Sequence, residues 1–288
     1  MVTYTTNKLD DYLDVESRES LVEAVVTKAE GIFLWVALAV KEMREQLENG
    51  AGRAALMQLV DSLPEELDSL FWHILKSISK PNRRKAFQTF AIIPLSTKWE
   101  LPVTLRAYSF LDNYDTDTRF AERDERMETD ANGISKARRT AISRKRLNGC
   151  CKGLVEPVDR RVGHSPVETC IAYTHRSVPE FLENKAIRDE IELLLTRFQA
   201  ADALCQLVLA EFRLLGKDHY QACENFTKLV LKLRHSCRLD SAPYTFLRTW
   251  DTRIEKLSLY RSPTGLTTPI PSDVEEDPIY HFPGGLKY

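Results

Sequence analysis

The sequence predicts a mainly α-helical protein: a helical bundle with a winged-helix unit that carries a small β-hairpin, followed by further helices. Two observations lead to this fold class. Apolar residues recur at helical spacing along most of the 288 residues, as they do in Leu67–Ile78. Only in the stretch 153–173 does the period change to the alternation that is typical of paired β-strands.

Composition and charge exclude several classes of protein. Apolar residues make up 43% of the chain, enough for a core, and the net charge of -2 provides no overall attraction to nucleic acid or acidic membranes. The longest apolar run, Ile32–Val40, is far shorter than the ~20 residues that a membrane span needs. The first residues are too polar for a secretory signal. We therefore expect a cytoplasmic protein whose cysteines are buried and reduced.

The N-terminal part, residues 1–62, is predicted to be a small helical domain. Residues 17–48 form two helices that are separated at Gly31, because glycine accepts the backbone conformation that ends a helix. The segment Ser20–Glu23 has the spacing of a capping box near the start of the first helix. A short helix over residues 54–62 completes this domain.

Residues 63–185 are predicted to form the winged-helix unit, whose first half contains helices with proline at one end. Proline is tolerated in the first turn of a helix and disfavoured in its interior, because it has no N–H group. Pro64 and Pro102 are therefore expected in first turns, and Pro81 and Pro94 are expected just after last turns.

The second half of this unit changes character several times. Residues 112–135 are rich in aspartate and glutamate and predict a mobile surface loop, and a basic helix over 136–146 follows. The strands 153–158 and 167–173 form the β-hairpin. The second strand leads directly into Ser177–Glu180, which has capping-box spacing with proline in the first turn.

Residues 186–260 are predicted to be a further helical region. Three apolar stripes at helical spacing run through it, at 193–204, 226–233 and 246–257. The remaining residues, 261–288, contain five prolines and show no periodicity, which predicts a flexible tail.

No catalytic motif is present in the sequence. It contains no GxxxxGKS/T loop to hold phosphates, and no GxSxG, HExxH or GxGxxG pattern. We therefore expect no enzyme, no catalytic residue, no small-molecule substrate and no resident cofactor. A zinc site at His219, Cys223, His235 and Cys237 is disfavoured, because the last two residues point to different sides of a helix, and no metal is expected.

The basic helix raises the question of nucleic-acid binding. Winged helices often bind DNA, and Arg138, Arg139, Arg144 and Arg146 would supply contacts to phosphate. The acidic stretch just before the helix opposes this charge. We favour a solvated face, or one paired with the acidic loop, and expect no nucleic-acid partner. A nucleic-acid-binding winged helix and a helical protein-binding module in 186–260 remain the competing classes.

Four segments resemble motifs of fungal NACHT proteins, which are signal-transduction ATPases with numerous domains. Thr27–Leu38 resembles the GLPL segment of these proteins, and Ile171–Leu182 resembles their HRTVRDFL segment, the counterpart of the MHD motif of related plant and animal ATPases. Leu63–Leu67 and Cys151–Glu156 also match the fungal pattern, in the expected order. The resemblance covers about residues 10–210.

The resemblance implies roles for particular residues. In this family an α/β core binds and hydrolyses the nucleotide, a small helical domain packs near the adenine, and a winged-helix domain closes over the phosphates in the resting state. His175 matches the sensor histidine, whose imidazole can donate a hydrogen bond to a phosphate oxygen. The alternative is a purely local hydrogen bond at that position. Gly31 and Phe33 match the helical-domain motif, where Phe33 stands in place of the proline of plant and animal relatives.

The resemblance therefore implies a non-catalytic regulatory or scaffolding fragment that controls nucleotide-dependent opening and oligomerisation. The P-loop and Walker B segments that precede the helical domain in this family are missing from this chain, so ADP or ATP is expected only with a complete core. A truncated gene, an incomplete gene model and a stand-alone relative would each explain this. A protein partner or self-association is expected.

Overall fold

The computed structural model describes residues 1–123, 136–161, 167–215 and 220–236. This part of the chain is mainly α-helical with one two-stranded antiparallel sheet, which confirms the predicted fold class. The elements are α1 Val2–Leu9, α2 Val15–Lys28, α3 Phe33–Glu48, α4 Arg53–Ser62, α5 Leu67–Ser77, α6 Lys80–Lys98, α7 Leu105–Tyr108, α8 Leu111–Thr116, a 3₁₀ turn Phe120–Glu122, α9 Lys136–Cys151, β1 Val155–Arg160, β2 Glu168–Tyr173, α10 Ser177–Leu182, α11 Lys185–Leu194, α12 Ala200–Leu215 and α13 Tyr220–Ser236.

The N-terminal helices follow the predicted order. Helix α2 starts earlier than expected, because Asp14 caps it by accepting a hydrogen bond from the Ser17 backbone N–H at 2.9 Å. The capping box predicted at Ser20 is therefore wrong, and the Ser20 hydroxyl donates to the Ser17 carbonyl instead. The break at Gly31 is confirmed: Glu30 and Gly31 have φ of 46° and 88°, in the left-handed region, and reverse the chain before α3.

All four of the predicted proline positions are wrong, and three of them lie in or beside α5 and α6. Pro64 lies before α5 rather than within its first turn, and Pro81 lies in the first turn of α6 rather than after α5. Helix α6 continues through Pro94, which cannot donate a hydrogen bond to the carbonyl of Phe90. The Tyr173 hydroxyl of β2 donates to that carbonyl at 2.9 Å, so the sheet satisfies the acceptor that proline leaves open.

The helix predicted to open at Pro102 is replaced by an extended segment. The Ile171 backbone N–H of β2 donates to the Val103 carbonyl at 2.9 Å, and Thr104 forms an isolated bridge with Cys170. Helix α7 begins only after Thr104, which caps it. The order helix, extended segment, helices and hairpin, with the extended segment on the second hairpin strand, agrees with the predicted winged-helix unit.

The predicted acidic loop 112–135 is partly wrong. Its first half contains most of α8 and the 3₁₀ turn, and Tyr114 and Ala121 are buried there. These apolar side chains pack toward α12, so one side of the acidic stretch is buried although most of its residues are polar. Residues 124–135 lie outside the described part.

The hairpin is confirmed with shifted limits. Strands β1 and β2 pair in antiparallel register, with Val155 opposite Tyr173 and Arg160 opposite Glu168. Helix α9 extends the predicted basic helix to Cys151, so the first strand begins two residues later than expected. Residues 162–166, in the predicted hairpin loop, lie outside the described part.

Helix α12 lies at the centre of the C-terminal region, where it packs against α6, α7, α8 and α13. The stripe predicted at 193–204 is only partly right, because Leu204 is buried whereas Leu193 is 73% exposed. In the second stripe Phe226, Leu229 and Val230 are buried, as expected. The stripe at 246–257 and the tail at 261–288 lie outside the described residues.

The predicted domain limits remain predictions, although nearly all buried apolar residues of the described part form one continuous cluster. Within this part, no helix is long and apolar enough to cross a membrane. The described cysteines Cys150, Cys151, Cys170 and Cys205 are buried and free. Burial raises the pKa of the Cys170 thiol to about 11, so this thiol is protonated at neutral pH.

Candidate functional site

The four segments that carry the resemblance meet in the fold, and the first junction is a tryptophan. Trp35 of α3 is fully buried, and its indole Nε1 donates a hydrogen bond to the Pro64 carbonyl at 2.6 Å. Lys28 adds a second link, because its Nζ donates to the carbonyls of Val60 and Asp61 at the end of α4. The segment 27–38 is thereby held against the start of 63–67.

The second junction is a glycine. Gly153 has φ of 95°, and a Cβ at this position would lie 2.9 Å from Cδ of Lys41 and 3.2 Å from Cδ2 of Leu38. Only glycine permits both this conformation and this close approach. Beside it, Lys152 forms an ion pair with Glu45. The turn after α9 is thus pressed onto α3, and burial lowers the pKa of Lys41.

The third junction connects the hairpin to the helices around it. Thr174 follows β2, and its backbone N–H donates to the Leu154 carbonyl at 3.2 Å while its hydroxyl donates to the Gly153 carbonyl. Phe181 of α10 packs on Phe71 and Trp72 of α5, with ring centroids 5.1 Å and 5.6 Å apart. All four segments therefore belong to one connected set of contacts.

His175 lies on the surface between β2 and α10. Its Nδ1 accepts the Ser177 backbone N–H at 3.1 Å and lies 3.0 Å from the Ser177 hydroxyl. The capping box predicted at Ser177 is wrong, because Arg176 is the N-cap residue and its side chain accepts no hydrogen bond from the helix. The His175 imidazole accepts the Ser177 N–H in its place. Since Nδ1 is an acceptor, the neutral ring carries its proton on Nε2. Within the described part, Nε2 makes no hydrogen bond.

Gly31 and Phe33 occupy a different position. Gly31 is exposed with nothing within 4 Å of an added Cβ, so its role in the fold is the left-handed turn itself. Phe33 opens α3 and is 50% exposed, with its ring packed edge-on against Tyr4 at 5.1 Å. Among the described residues, no hydrogen bond, ion pair or ring contact joins either residue to His175.

The comparisons with known proteins identify one family. A family model described as a domain of unknown function, DUF7791, matches residues 77–222, which is about half of the chain. The chain belongs to the DUF7791 family. No curated protein and no solved structure matches it. The DUF7791 region runs from the last residue of α5 into α13 and includes His175, whereas Gly31 and Phe33 precede it.

Within the DUF7791 region, the basic helix α9 directs part of its charge inward. The Arg139 guanidinium lies 4.5 Å from the ring centroid of Phe110, and Arg139 is largely buried. Arg146 forms an ion pair with Asp112, a residue of the predicted acidic loop, and Lys85 pairs with the same carboxylate. Arg144 remains exposed. Pairing of the helix with the acidic stretch is therefore confirmed at Arg146.

The residues considered for zinc give no site that the structure describes. The side chains of His219, Cys223, His235 and Cys237 lie outside the described part. Among the described residues, no group of three or more His, Cys, Asp or Glu side chains could hold a metal ion.

Sequence reasoning missed a buried polar cluster of the DUF7791 region. Glu211 of α12 is 3% exposed and accepts a hydrogen bond from the Thr104 hydroxyl. Arg106 of α7 lies between Glu211 and Glu168 of β2, and forms ion pairs with both. The one available signal in the sequence was Glu211 itself, a single carboxylate within the apolar run Leu204–Phe212. A carboxylate that is buried with such a run needs a hydrogen-bonding or charged partner.

Proposed function

We propose that this chain is a non-catalytic regulatory module of a fungal NACHT-type ATPase, acting in the cytoplasm together with a nucleotide-binding core. In this proposal the core supplies the nucleotide site, and the module stabilises its closed, ADP-bound form. Exchange of the nucleotide would then release the module and expose surfaces for oligomerisation.

The observation that carries the proposal is the state of His175. Its ring is oriented through Nδ1 by the Ser177 backbone, and its Nε2–H donor is on the surface without a partner in the described part of the chain. A fixed N–H donor of this kind suits a phosphate oxygen that a second protein surface would present.

Two further observations support the proposal. The segments that resemble the NACHT pattern are joined by Trp35, Gly153 and Phe181 into one set of contacts, so that a change at one segment has a physical route to the others. Domains of the DUF7791 family also often occur in fungal NACHT proteins.

Calorimetric titration of the purified chain with ADP and ATP in the presence of magnesium is the first test. We expect no binding tighter than ~1 mM, because the phosphate-binding loop is missing from the chain. Micromolar binding that His175→Ala abolishes would contradict the proposed division of labour, since the chain would then contain a nucleotide site of its own.

The second test adds the missing part. The purified ATPase core of a fungal NACHT protein that carries a DUF7791 domain is titrated with ADP, with and without this chain. We expect the chain to tighten the binding of ADP to the core. With the His175→Ala chain, ADP should bind roughly tenfold or more weakly than with the unchanged chain, because a hydrogen bond to a charged group contributes about 1.5–3 kcal/mol.

His73→Ala is the matched control for that test. His73 lies on α5, 3.5 Å from Glu42, so its removal deletes an imidazole without touching the strand–helix junction. The control is expected to keep the full effect of the chain. The proposal fails if ADP affinity is independent of the chain, or if both histidine variants lower it equally.

A further inference from the structure

A groove with a volume of about 620 Å³ lies along one face of α5. It is lined by Pro64, Ser69, Trp72, His73 and Lys76. The four residues that belong to α5 follow one another at i, i+3, i+4 and i+7, so they share one face of the helix. The surface that lines the groove is mostly apolar and open to water, which makes it a candidate contact surface.

Trp72 is the anchor of this groove. Its ring packs edge-on against Phe181 of α10 with the centroids 5.6 Å apart, and the Nζ atom of Lys76 lies 5.6 Å from its ring centroid. Within the described part of the chain, its indole Nε1–H makes no hydrogen bond. A positioned indole of this kind suits a ligand that presents both an apolar surface and a carbonyl group.

The two ends of the groove differ in charge. Lys76 is exposed at one end, and none of the described residues forms an ion pair with it. Residues 65–68, at the other end, contain three carboxylates, and Glu42 of α3 lies 3.5 Å from His73 in between. A ligand that is negative along its whole length would be repelled at one end. The groove therefore favours a ligand that is neutral over Trp72 and negative beyond Lys76.

One segment of this chain has that composition. Residues 267–272, with the sequence Thr-Thr-Pro-Ile-Pro-Ser, contain two prolines and no charge, and residues 273–277 follow with four carboxylates. Proline-rich segments favour the polyproline II conformation, which leaves rings and carbonyl groups free for a partner. The neutral stretch thus supplies rings and a carbonyl for Trp72, and the acidic stretch supplies negative charge for Lys76.

The dimensions of the groove and of the chain agree with this match. Ser69 and Lys76 are separated by ~10 Å along α5 at 1.5 Å per residue, and a polyproline II segment rises ~3.1 Å per residue, so residues 269–272 span the groove. Residues 237–268 connect α13 to this segment and reach ~80 Å, even when 246–257 are helical as their apolar stripe predicts. A compact chain of this length has a radius of gyration of roughly 19 Å, so the segment can reach the groove.

We propose that residues 267–277 dock in the groove on α5 of the same chain, where a carbonyl of the segment accepts the Trp72 Nε1–H and its carboxylates pair with Lys76. The connection raises the effective concentration of the segment to the mM range, so an intrinsic affinity of only ~1 mM fills the groove about half of the time. The chain thereby carries its own competitor for any proline-rich partner of this groove. This inference is independent of the proposed function, because it involves neither His175 nor the nucleotide.

The indole proton of Trp72 reports on docking in the full chain. The chain has four tryptophans, so NMR resolves this N–H signal, which is assigned by its loss in Trp72→Phe. The double variant Pro269→Ala/Pro271→Ala should about double the solvent exchange rate of this proton, because a groove that is filled half of the time protects it for half of the time. Pro278→Ala/Pro283→Ala, outside the segment, is the matched control and should leave the rate unchanged. Docking is overturned if the two double variants behave alike.

Charge reversal tests the pairing at Lys76. Lys76→Glu should accelerate the exchange of the Trp72 indole proton as the first double variant does, and the addition of Asp273→Lys should restore the protection. Lys98→Glu, at an exposed lysine at the end of α6, is the control and should have no effect. Acceleration without rescue would contradict the pairing with the acidic stretch.

The dependence on chain concentration distinguishes docking within one chain from docking between two chains. Docking within one chain is independent of concentration, so the exchange rate of the Trp72 indole proton should stay constant over a roughly 20-fold range. Protection that increases with concentration would mean that the segment of a second copy fills the groove, which would overturn the proposal.

Discussion

Helices α3 and α12 have the same length, 16 residues, and both are largely buried, yet they are held in different ways. The buried positions of α3 are all apolar, and Trp35 is the largest of them. Helix α12 buries an apolar face too, but Gln206 and Glu211 are buried with it, and each needs a partner from another element.

The difference teaches how each helix responds to its surroundings. Apolar burial stabilises by roughly 25 cal/mol per Å² and depends little on pH. A buried carboxyl or amide contributes only when its partners are in place, and costs free energy when they are absent. We therefore expect α3 to be the rigid side of the molecule and α12 to be the side whose packing depends on protonation.

Among the variants that test this comparison, Trp35→Ala should lower the stability most. Trp35→Ala leaves a large cavity beside α3 and an unpaired carbonyl at Pro64, and should lower the free energy of unfolding by about 3–5 kcal/mol. Urea denaturation measures this loss. Phe33→Ala, in the half-exposed first turn of the same helix, is the control and should cost less than ~1.5 kcal/mol. Equal losses would mean that α3 is not anchored at Trp35.

Gly153→Ala should have an intermediate effect. The added Cβ would meet Lys41 at 2.9 Å in a left-handed conformation, so we expect a loss of about 1–3 kcal/mol in urea denaturation. Gly149→Ala is the matched control in α9, where nothing lies within 4 Å and the change should stabilise by about 0.5–1 kcal/mol. A neutral result at Gly153 would show that α3 and the turn after α9 separate easily.

The smallest of these effects is expected at α12. Tyr114→Phe removes the hydroxyl that donates to Asp202 at 2.8 Å, and should cost about 1–2 kcal/mol at neutral pH. Burial raises the pKa of Asp202 and the Tyr114 bond opposes this rise, so the loss should shrink as pH falls and the carboxylate is protonated.

Denaturation at several pH values measures this dependence. Tyr12→Phe removes a hydroxyl that donates to Glu48 and accepts from Arg44, both at 3.3 Å, and should cost less than ~1.5 kcal/mol without the pH dependence expected at Tyr114. A loss at Tyr114 that does not vary with pH would argue that Asp202 keeps its charge without this donor.

Much of the fold was predictable because it is encoded locally. The break at Gly31 depends on a conformation that glycine adopts readily, and the hairpin depends on alternation within a few residues. The proline positions failed for the opposite reason. Pro94 has no N–H group to donate to the Phe90 carbonyl. It is tolerated inside α6 because the hydroxyl of Tyr173, far away in sequence, donates to that carbonyl instead.

The candidate site divides in the same way. The resemblance pointed to His175, and its place between a strand and a helix was expected from the change of period. The donor and acceptor roles of its two nitrogens follow from the Ser177 backbone, which only the folded chain positions. The partners of Glu211 gave no local signal, because Thr104 and Arg106 become its neighbours only through packing of α7 against α12.

By itself, the sequence determined that this protein is mainly helical, where its hairpin lies, and that the chain contains no phosphate-binding loop motif. These properties depend on the spacing of residue types along the chain. Tertiary structure decided which carboxyl groups are buried, which prolines are tolerated, and that the four resembling segments meet at Trp35, Gly153 and Phe181. Those properties depend on pairs of groups that are distant in sequence, and their free energies exist only when the chain brings both members together.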